Sequence, residues 1–156
     1  MLILSSCGRE YGILSYQEGD LCALCRVNDE YVVNIRKEGG TRALEIIEPS
    51  ALCGVSFVLE NGSWQAVSGN MKIPLESTQI QGIAALCSMF DMSEAWISSA
   101  LDDDGYGIVD FAADNILYRV TYGALSLPTH ITIEADTFTH KVDIISIESE
   151  SIAARK

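Results

Sequence analysis

The stretch Val55-Ser56-Phe57-Val58-Leu59-Glu60-Asn61-Gly62-Ser63-Trp64-Gln65-Ala66-Val67-Ser68-Gly69-Asn70-Met71-Lys72-Ile73-Pro74-Leu75 decides how this chain folds. Val55, Phe57 and Leu59 point one way, with Ser56 and Glu60 opposite. Met71, Ile73 and Leu75 line one face against Lys72 and Pro74. Alternation with period two marks a strand that buries one face. Asn61-Gly62 sits between two such runs. Both residues tolerate positive φ, so the segment predicts a hairpin closed by a type I′ turn. Gly69-Asn70 punctuates the chain in the same way.

The pattern extends toward the N-terminus. Residues 20–28 read as a strand. Tyr31, Val33 and Ile35 share a face, as do Leu44 and Ile46, with turn signals at Asn28-Asp29 and Gly39-Gly40. Residues 10–75 are therefore expected to form an antiparallel meander. Toward the C-terminus the period changes. Ile80, Ile83, Ala84, Cys87 and Phe90 recur at helical spacing, with Thr78 and Gln81 placed as a capping box. Asp91 or Ser93 would cap a second helix carrying Trp96, Ile97, Ala100 and Leu101. That helix must end before Asp102-Asp103-Asp104-Gly105, because the helix dipole disfavours carboxylates at a C-terminus. Strand alternation resumes through Ile116, Tyr118, Val120 and Tyr122, then Ile131 and Ile133. The last run, Phe138, His140, Val142 and Ile144, switches parity to Ile145 and Ile147, which a bulge or burial on both faces explains. Strands, two helices and strands, with no βαβ alternation, give an α+β expectation: one curved antiparallel sheet with two helices packed on its concave face.

Composition narrows the function classes. The 156 residues carry 22 acids and 10 bases, a net charge of −12, and 48 % are hydrophobic. One domain is expected, spanning 8–150, with a polar tail at 151–156. The charge argues against nucleic acid and against a polybasic membrane contact. No apolar run reaches the roughly 18–20 residues needed to span a bilayer. Aligning Gly105 with the glycine of a calcium loop puts Ala100 and Phe111 at ligand positions, and neither ligates. There is no Gly-x-Ser-x-Gly elbow and no Gly-rich phosphate loop, and no carboxylate pair is singled out by spacing. The expectation is a protein that is not an enzyme and uses no cofactor or metal. The aromatic residues Phe57, Trp64, Phe90 and Trp96 are candidates to line a cavity, and ordinary core is the competing reading.

Five cysteines are an odd set. Cys22-Ala-Leu-Cys25 lacks the second pair a zinc site needs and lies in a strand, not at a helix N-terminus where a redox pair would sit. Burial is the expectation for Cys22, Cys25, Cys53 and Cys87, with disulfide pairing left open. Cys7 stands apart. Leu4-Ser5-Ser6-Cys7, followed by Gly8, resembles a bacterial lipobox, in which the cysteine is acylated and the preceding peptide removed. Residues 1–7 then read as the stub of a signal, lacking the basic n-region and the full apolar core.

A wider resemblance covers residues 10–147. The Tyr31-x-Val33-x-Ile35 strand and the Gly-Gly turn are followed by Glu48-Pro49-Ser50-Ala51-Leu52 leading to Gly54-Val55-Ser56-Phe57. The Asn-Gly hairpin, Gly69-Asn70-Met71-Lys72-Ile73 and Leu127-Pro128-Thr129-His130-Ile131 complete the set. Together they resemble small lipoproteins of Gram-positive bacteria related to the lipoprotein carrier LolA and receptor LolB. The resemblance implies an eleven-strand-like half barrel with helices as a lid over an apolar cavity. It also implies a protein held on the outer face of the cell membrane by lipid on Cys7. Its partners would be an apolar or lipid-like ligand or, alternatively, another envelope protein bound through the sheet or helices. The arginine that couples lid to barrel in the carriers is not assigned by spacing to Arg26, Arg36, Arg42 or Arg119.

Overall fold

The computed structural model of the protein describes residues 15–92, 96–101, 103–104 and 106–153. Eleven strands run in chain order: β1 (Leu21–Val27), β2 (Tyr31–Glu38), β3 (Thr41–Glu48), β4 (Ser56–Glu60), β5 (Ser63–Ser68), β6 (Met71–Leu75), β7 (Trp96–Leu101), β8 (Gly107–Ala113), β9 (Ile116–Tyr122), β10 (Pro128–Glu134) and β11 (Thr139–Ser149). A helix α1 (Gln81–Ser88) joins β6 to β7, and a short helical turn α2 (Glu150–Ala153) follows β11. The strands make one antiparallel sheet in the order β6-β5-β4-β3-β2-β1-β11-β10-β9-β8-β7. Two meanders therefore meet where β1 pairs with β11, and α1 carries the chain from one sheet edge to the other.

The expected hairpin at 55–75 is present. Asn61 and Gly62 have φ of 51° and 78°, as a type I′ turn requires, and Phe57 pairs with Ala66 while Leu59 pairs with Trp64. The strand expected at 20–28 is β1, and its buried face carries Leu21, Ala23, Cys25 and Val27 at a period of two. The parity switch in β11 is a bulge: Leu24 pairs with Ser146 and Cys25 with Ile144, so Ile145 is skipped and left 48 % exposed.

The expected pair of helices on the sheet is not what forms. Trp96–Leu101 is strand β7, an edge strand paired with β8, with Trp96 opposite Phe111 and a register shift between Trp96 and Ser98. The apolar positions 96, 97, 100 and 101 satisfy a helical period. However, an aromatic, a β-branched residue and two serines have low helix propensity and suit a strand. The Asp102–Gly105 segment connects β7 to β8, so the conflict between three carboxylates and a helix C-terminus never arises. Among the described residues, α1 packs on the core together with a short helical turn at Ser15–Gln17, whose buried Tyr16 meets Tyr122 of β9 edge-on. The Thr78–Gln81 capping box is also replaced. A tight helical turn at Ser77–Gln79 precedes α1, and the Glu76 backbone N–H donates to Gln79 Oε1 at 3.0 Å.

One core cluster contains residues of both meanders and of α1, including Ile35, Leu44, Leu86, Val109, Phe111, Ile133 and Val142. Each such side chain contributes roughly 1.5–3 kcal/mol on burial. The sheet must curl to achieve this. From β4 to β8 is seven strand spacings, about 34 Å if flat, yet one helix about 10–12 Å wide packs near both.

Candidate functional site

The helix α1 lies across the covered face of the sheet and leaves a groove on each flank. Its spacing sets which residues face which side. Gln81, Ala84, Ala85 and Ser88 face one groove, and Ile80, Ile83 and Leu86 face the other. The first groove has a volume of about 640 Å³ and runs along the β8–β9 and β10–β11 turns. Its walls mix Tyr118 and Ile116 with Ser77, Asp114, Asn115 and Asp136. Burial, and then the Asp114 carboxylate, push the Tyr118 phenol up to about 12. The second groove has a volume of about 360 Å³ and lies between α1 and strands β1 to β4. Its walls include Val33, Leu44, Ile46, Phe57, Ile83 and Leu86, with polar groups from Asn28, Tyr31, Gln79 and His140. Among the described residues, no lysine, arginine or carboxylate lines it. This volume falls within the roughly 300–1,000 Å³ of small-molecule sites, and the lining is that of an apolar one.

The polar edge of this groove is ordered by the β1–β2 turn. Asn28 has φ of 53°, a left-handed conformation that asparagine tolerates, and its backbone N–H donates to the Lys141 carbonyl at 2.8 Å. The Lys141 N–H donates to Asn28 Oδ1 at 2.8 Å, which fixes the orientation of the amide. Asn28 Nδ2 then faces His140 Nδ1 at 3.2 Å. An amide nitrogen can only donate, so Nδ1 accepts and the neutral ring carries its proton on Nε2. Nε2 is buried and finds no hydrogen bond of normal geometry among the described residues. It faces the start of α1, where a Cβ on Gly82 would stand 2.7 Å away. Burial pushes the His140 pKa down, and the nearby Gly82 backbone opposes this only in part. Phe138 packs on the ring, 5.2 Å between centroids.

The far end of α1 is held by charge. Asp91 accepts from Arg42 Nε at 2.7 Å, from Arg42 Nη2 at 3.2 Å and from Lys37 Nζ at 3.0 Å. Lys37 also donates to the Phe90 carbonyl and to the Gln17 carbonyl. The Gln17 side chain accepts from the Met92 N–H at 2.8 Å. Burial raises the Asp91 pKa, but the Arg42 and Lys37 bonds more than reverse this and hold the carboxyl below its ordinary value. Spacing does not single out Arg42, because its partner is 49 residues away.

The candidate cavity aromatics separate in space. Phe57 lines the apolar groove. Trp64 on β5 and Phe90 after α1 are buried in the core, and Phe90 meets Tyr16 edge-on, with centroids 6.4 Å apart. The side chain of Trp96 and the whole of Cys7 lie outside the described residues. Cys22, Cys25, Cys53 and Cys87 are all free thiols. Cys25 and Cys87 are buried, and burial pushes both up to about 12. Cys22 is half-buried and bonds Asn34 Oδ1, whereas Cys53, expected inside, is exposed.

Elsewhere, His130 Nδ1 lies 2.8 Å from Asp143 Oδ1 and its Nε2 lies 3.4 Å from Thr132 Oγ1. This resembles a relay that activates a hydroxyl nucleophile. It is built from two residues of β10, His130 and Thr132, and the cross-strand Asp143 of β11, on the sheet face opposite Ile131 and Ile133 and outside both grooves. Among the described residues, no three His, Cys, Asp or Glu side chains converge to hold a metal.

No protein-family model matches the sequence, and no curated protein matches it. Solved structures do. A conserved protein of Thermus thermophilus, itself described as uncharacterized, superposes with a TM-score of 0.54 at 8 % identity, covering 97 % of this chain and 94 % of that one. A LolA superfamily protein from Nitrosomonas europaea gives a TM-score of 0.46 at 12 % identity, covering 90 % of this chain and 92 % of its own. A structure described as a putative outer membrane lipoprotein-sorting protein domain, from Vibrio parahaemolyticus, gives 0.46 at 9 % identity, covering 90 % and 93 %. The Thermus structure shows that this fold occurs in another protein.

Proposed function

We infer that this protein is a non-catalytic binding protein that shelters an apolar, lipid-like ligand in the groove between α1 and strands β1 to β4. The observation that carries this reading is the lining of that groove. Val33, Leu44, Ile46, Phe57, Ile83 and Leu86 present apolar surface with no charged side chain among them. A methylene buried there gains about 0.8 kcal/mol, so each added CH₂ tightens binding roughly fourfold until the groove is full. The larger groove is less suited to a hydrocarbon. Burying one against Asp114, Asp136 and Asn115 would strip water from polar groups that gain nothing in return.

The proposal includes a tether. A diacylated Cys7 would hold the domain stably at the outer face of the cell membrane, where a single chain would not. There the net charge of −12 keeps the domain soluble and apart from anionic lipid headgroups.

Two measurements test the reading. Native mass spectrometry of protein purified from its host should detect bound lipid, and Ile83→Trp, which fills the groove, should abolish it. Lipid carried equally by both proteins would contradict the groove. For the tether, Cys7→Ala in the protein expressed from its native locus should release it from the membrane fraction. Unchanged retention would remove Cys7 as the anchor.

A further inference from the structure

We propose that His140 selects the ligand of this groove, its Nε2–H serving as donor to a neutral carbonyl oxygen at the end of an acyl chain. This rests on the apolar-groove reading and goes on to name the class of ligand. The starting observation is a hydrogen-bond donor that is buried, oriented and without a well-formed bond. Asn28 is pinned by both backbone bonds to Lys141, its Nδ2 occupies Nδ1 of the ring, and the ring proton is thereby placed on Nε2. That atom makes no hydrogen bond of normal geometry among the described residues, and the Gly82 backbone beside it is a poor substitute. Buried polar groups are almost always paired, and an exception calls for a reason. Here the reason is a partner that arrives with the ligand, because His140 itself lines the groove.

The ring edge lies against the first turn of α1. Gly82 is the second residue of α1, and any side chain there would collide with the imidazole, since a Cβ would stand 2.7 Å from Nε2. Glycine lets the first turn of α1 lie on the ring and also weakens the helix at that turn. An acyl chain lying along Leu44, Phe57 and Ile83 brings its terminal oxygen to Nε2 as this turn lifts. The charge pattern decides which oxygen. Among the described residues no lysine or arginine lines the groove, and the chain carries −12 overall, so a carboxylate has no counter-ion there. A neutral imidazole donates to an ester or amide carbonyl without that cost.

The test uses the full chain at pH 7.5 and four probes followed by NMR titration: methyl octanoate, N-methyl octanamide, octanoate, and toluene as an apolar control. The wild type should bind the ester and the amide more tightly than octanoate. The imidazole ¹⁵N spectrum should show the proton on Nε2, with that signal moving when ester is added. His140→Phe should weaken ester and amide binding about tenfold relative to toluene measured on the same variant. A stronger amide assigns an N-acyl chain and a stronger ester a glycerolipid chain, and either order supports the proposal. Equal ester binding by His140→Phe, a proton found on Nδ1, or an Nε2 signal unmoved by ester would overturn it. If His140→Phe does not fold, the wild-type Nε2 signal decides. If toluene and ester both fail to bind the wild type, the groove reading falls with it. If toluene binds while the ester gains nothing from His140, only the present proposal falls.

Discussion

Asp91 is the residue on which the end of α1 depends. Three hydrogen bonds from Arg42 and Lys37 converge on its carboxylate, which is partly shielded from water. Arg42→Ala should lower unfolding stability by roughly 1–2 kcal/mol in urea titrations, more than an exposed ion pair gives. The pKa of Asp91 is held below its ordinary 3.8, so its contribution is present above about pH 3.8 and is lost as the pH falls through the folded value. His140 acts in another window. Its folded pKa lies below 6.5, so the unfolded chain takes up the proton first. Stability therefore declines as the pH drops from about 6.5 to the folded value, then levels off. His140→Phe should flatten that part of the pH–stability curve, and Asp91→Asn the more acidic part. Thiol chemistry gives a third expectation at this scale. Iodoacetamide at pH 8 should label exposed Cys53 in the folded protein while Cys25 and Cys87, pushed up to about 12 by burial, react only on unfolding. Rapid labelling of Cys87 would contradict the burial of α1.

At the level of elements, local pattern and long-range pairing part company at one segment. The hairpin of β4 and β5 is legible because Asn61-Gly62 fixes its turn and alternation fixes its register. The β11 bulge is legible because Ile145 breaks parity in plain view. Trp96–Leu101 is not, since its apolar positions fit a helical period and its partner β8 offers little more than Val109 and Phe111 as an alternating pair. The acidic run after it is the available warning: a helix ending in three aspartates is electrostatically poor, whereas a β-turn accepts them. The site is legible in part. Phe57 falls on the groove by the same alternation that places it on β4. The Asn28–His140 contact is not, because it spans 112 residues and no motif marks it. Gly82→Ala tests that contact at the helix. It removes a helix-weakening glycine, which alone would stabilise by up to about 1 kcal/mol, but it drives a Cβ into the imidazole. A net loss of stability is expected, reversed in the double variant with His140→Ala.

For the molecule as a whole, the decisive pairing is β1 with β11, which joins two local meanders into one sheet. Sequence pattern gives most of the strands, though neither β7 nor β8; nor does it give this junction, because each meander could equally well have closed on itself. The junction places α1 between two edges that belong to different halves of the chain, and the curl of the sheet around it makes the grooves. Among the described residues, neither edge strand is paired on its outer side. On β6, Met71 and Ile73 are 64 % and 56 % exposed, and Pro74 withholds a backbone donor from any added strand. Pro74→Val should therefore raise self-association in sedimentation experiments. The groove between α1 and β1 to β4 is where ligand binding is proposed, and intermolecular NOEs to methyl octanoate test that placement most directly. Contacts from the acyl chain to the methyl groups of Val33, Leu44 and Ile83 are the expected result. Contacts confined to Ala84, Ile116 and Tyr118 on the other flank of α1, or none at saturating ester, would contradict it.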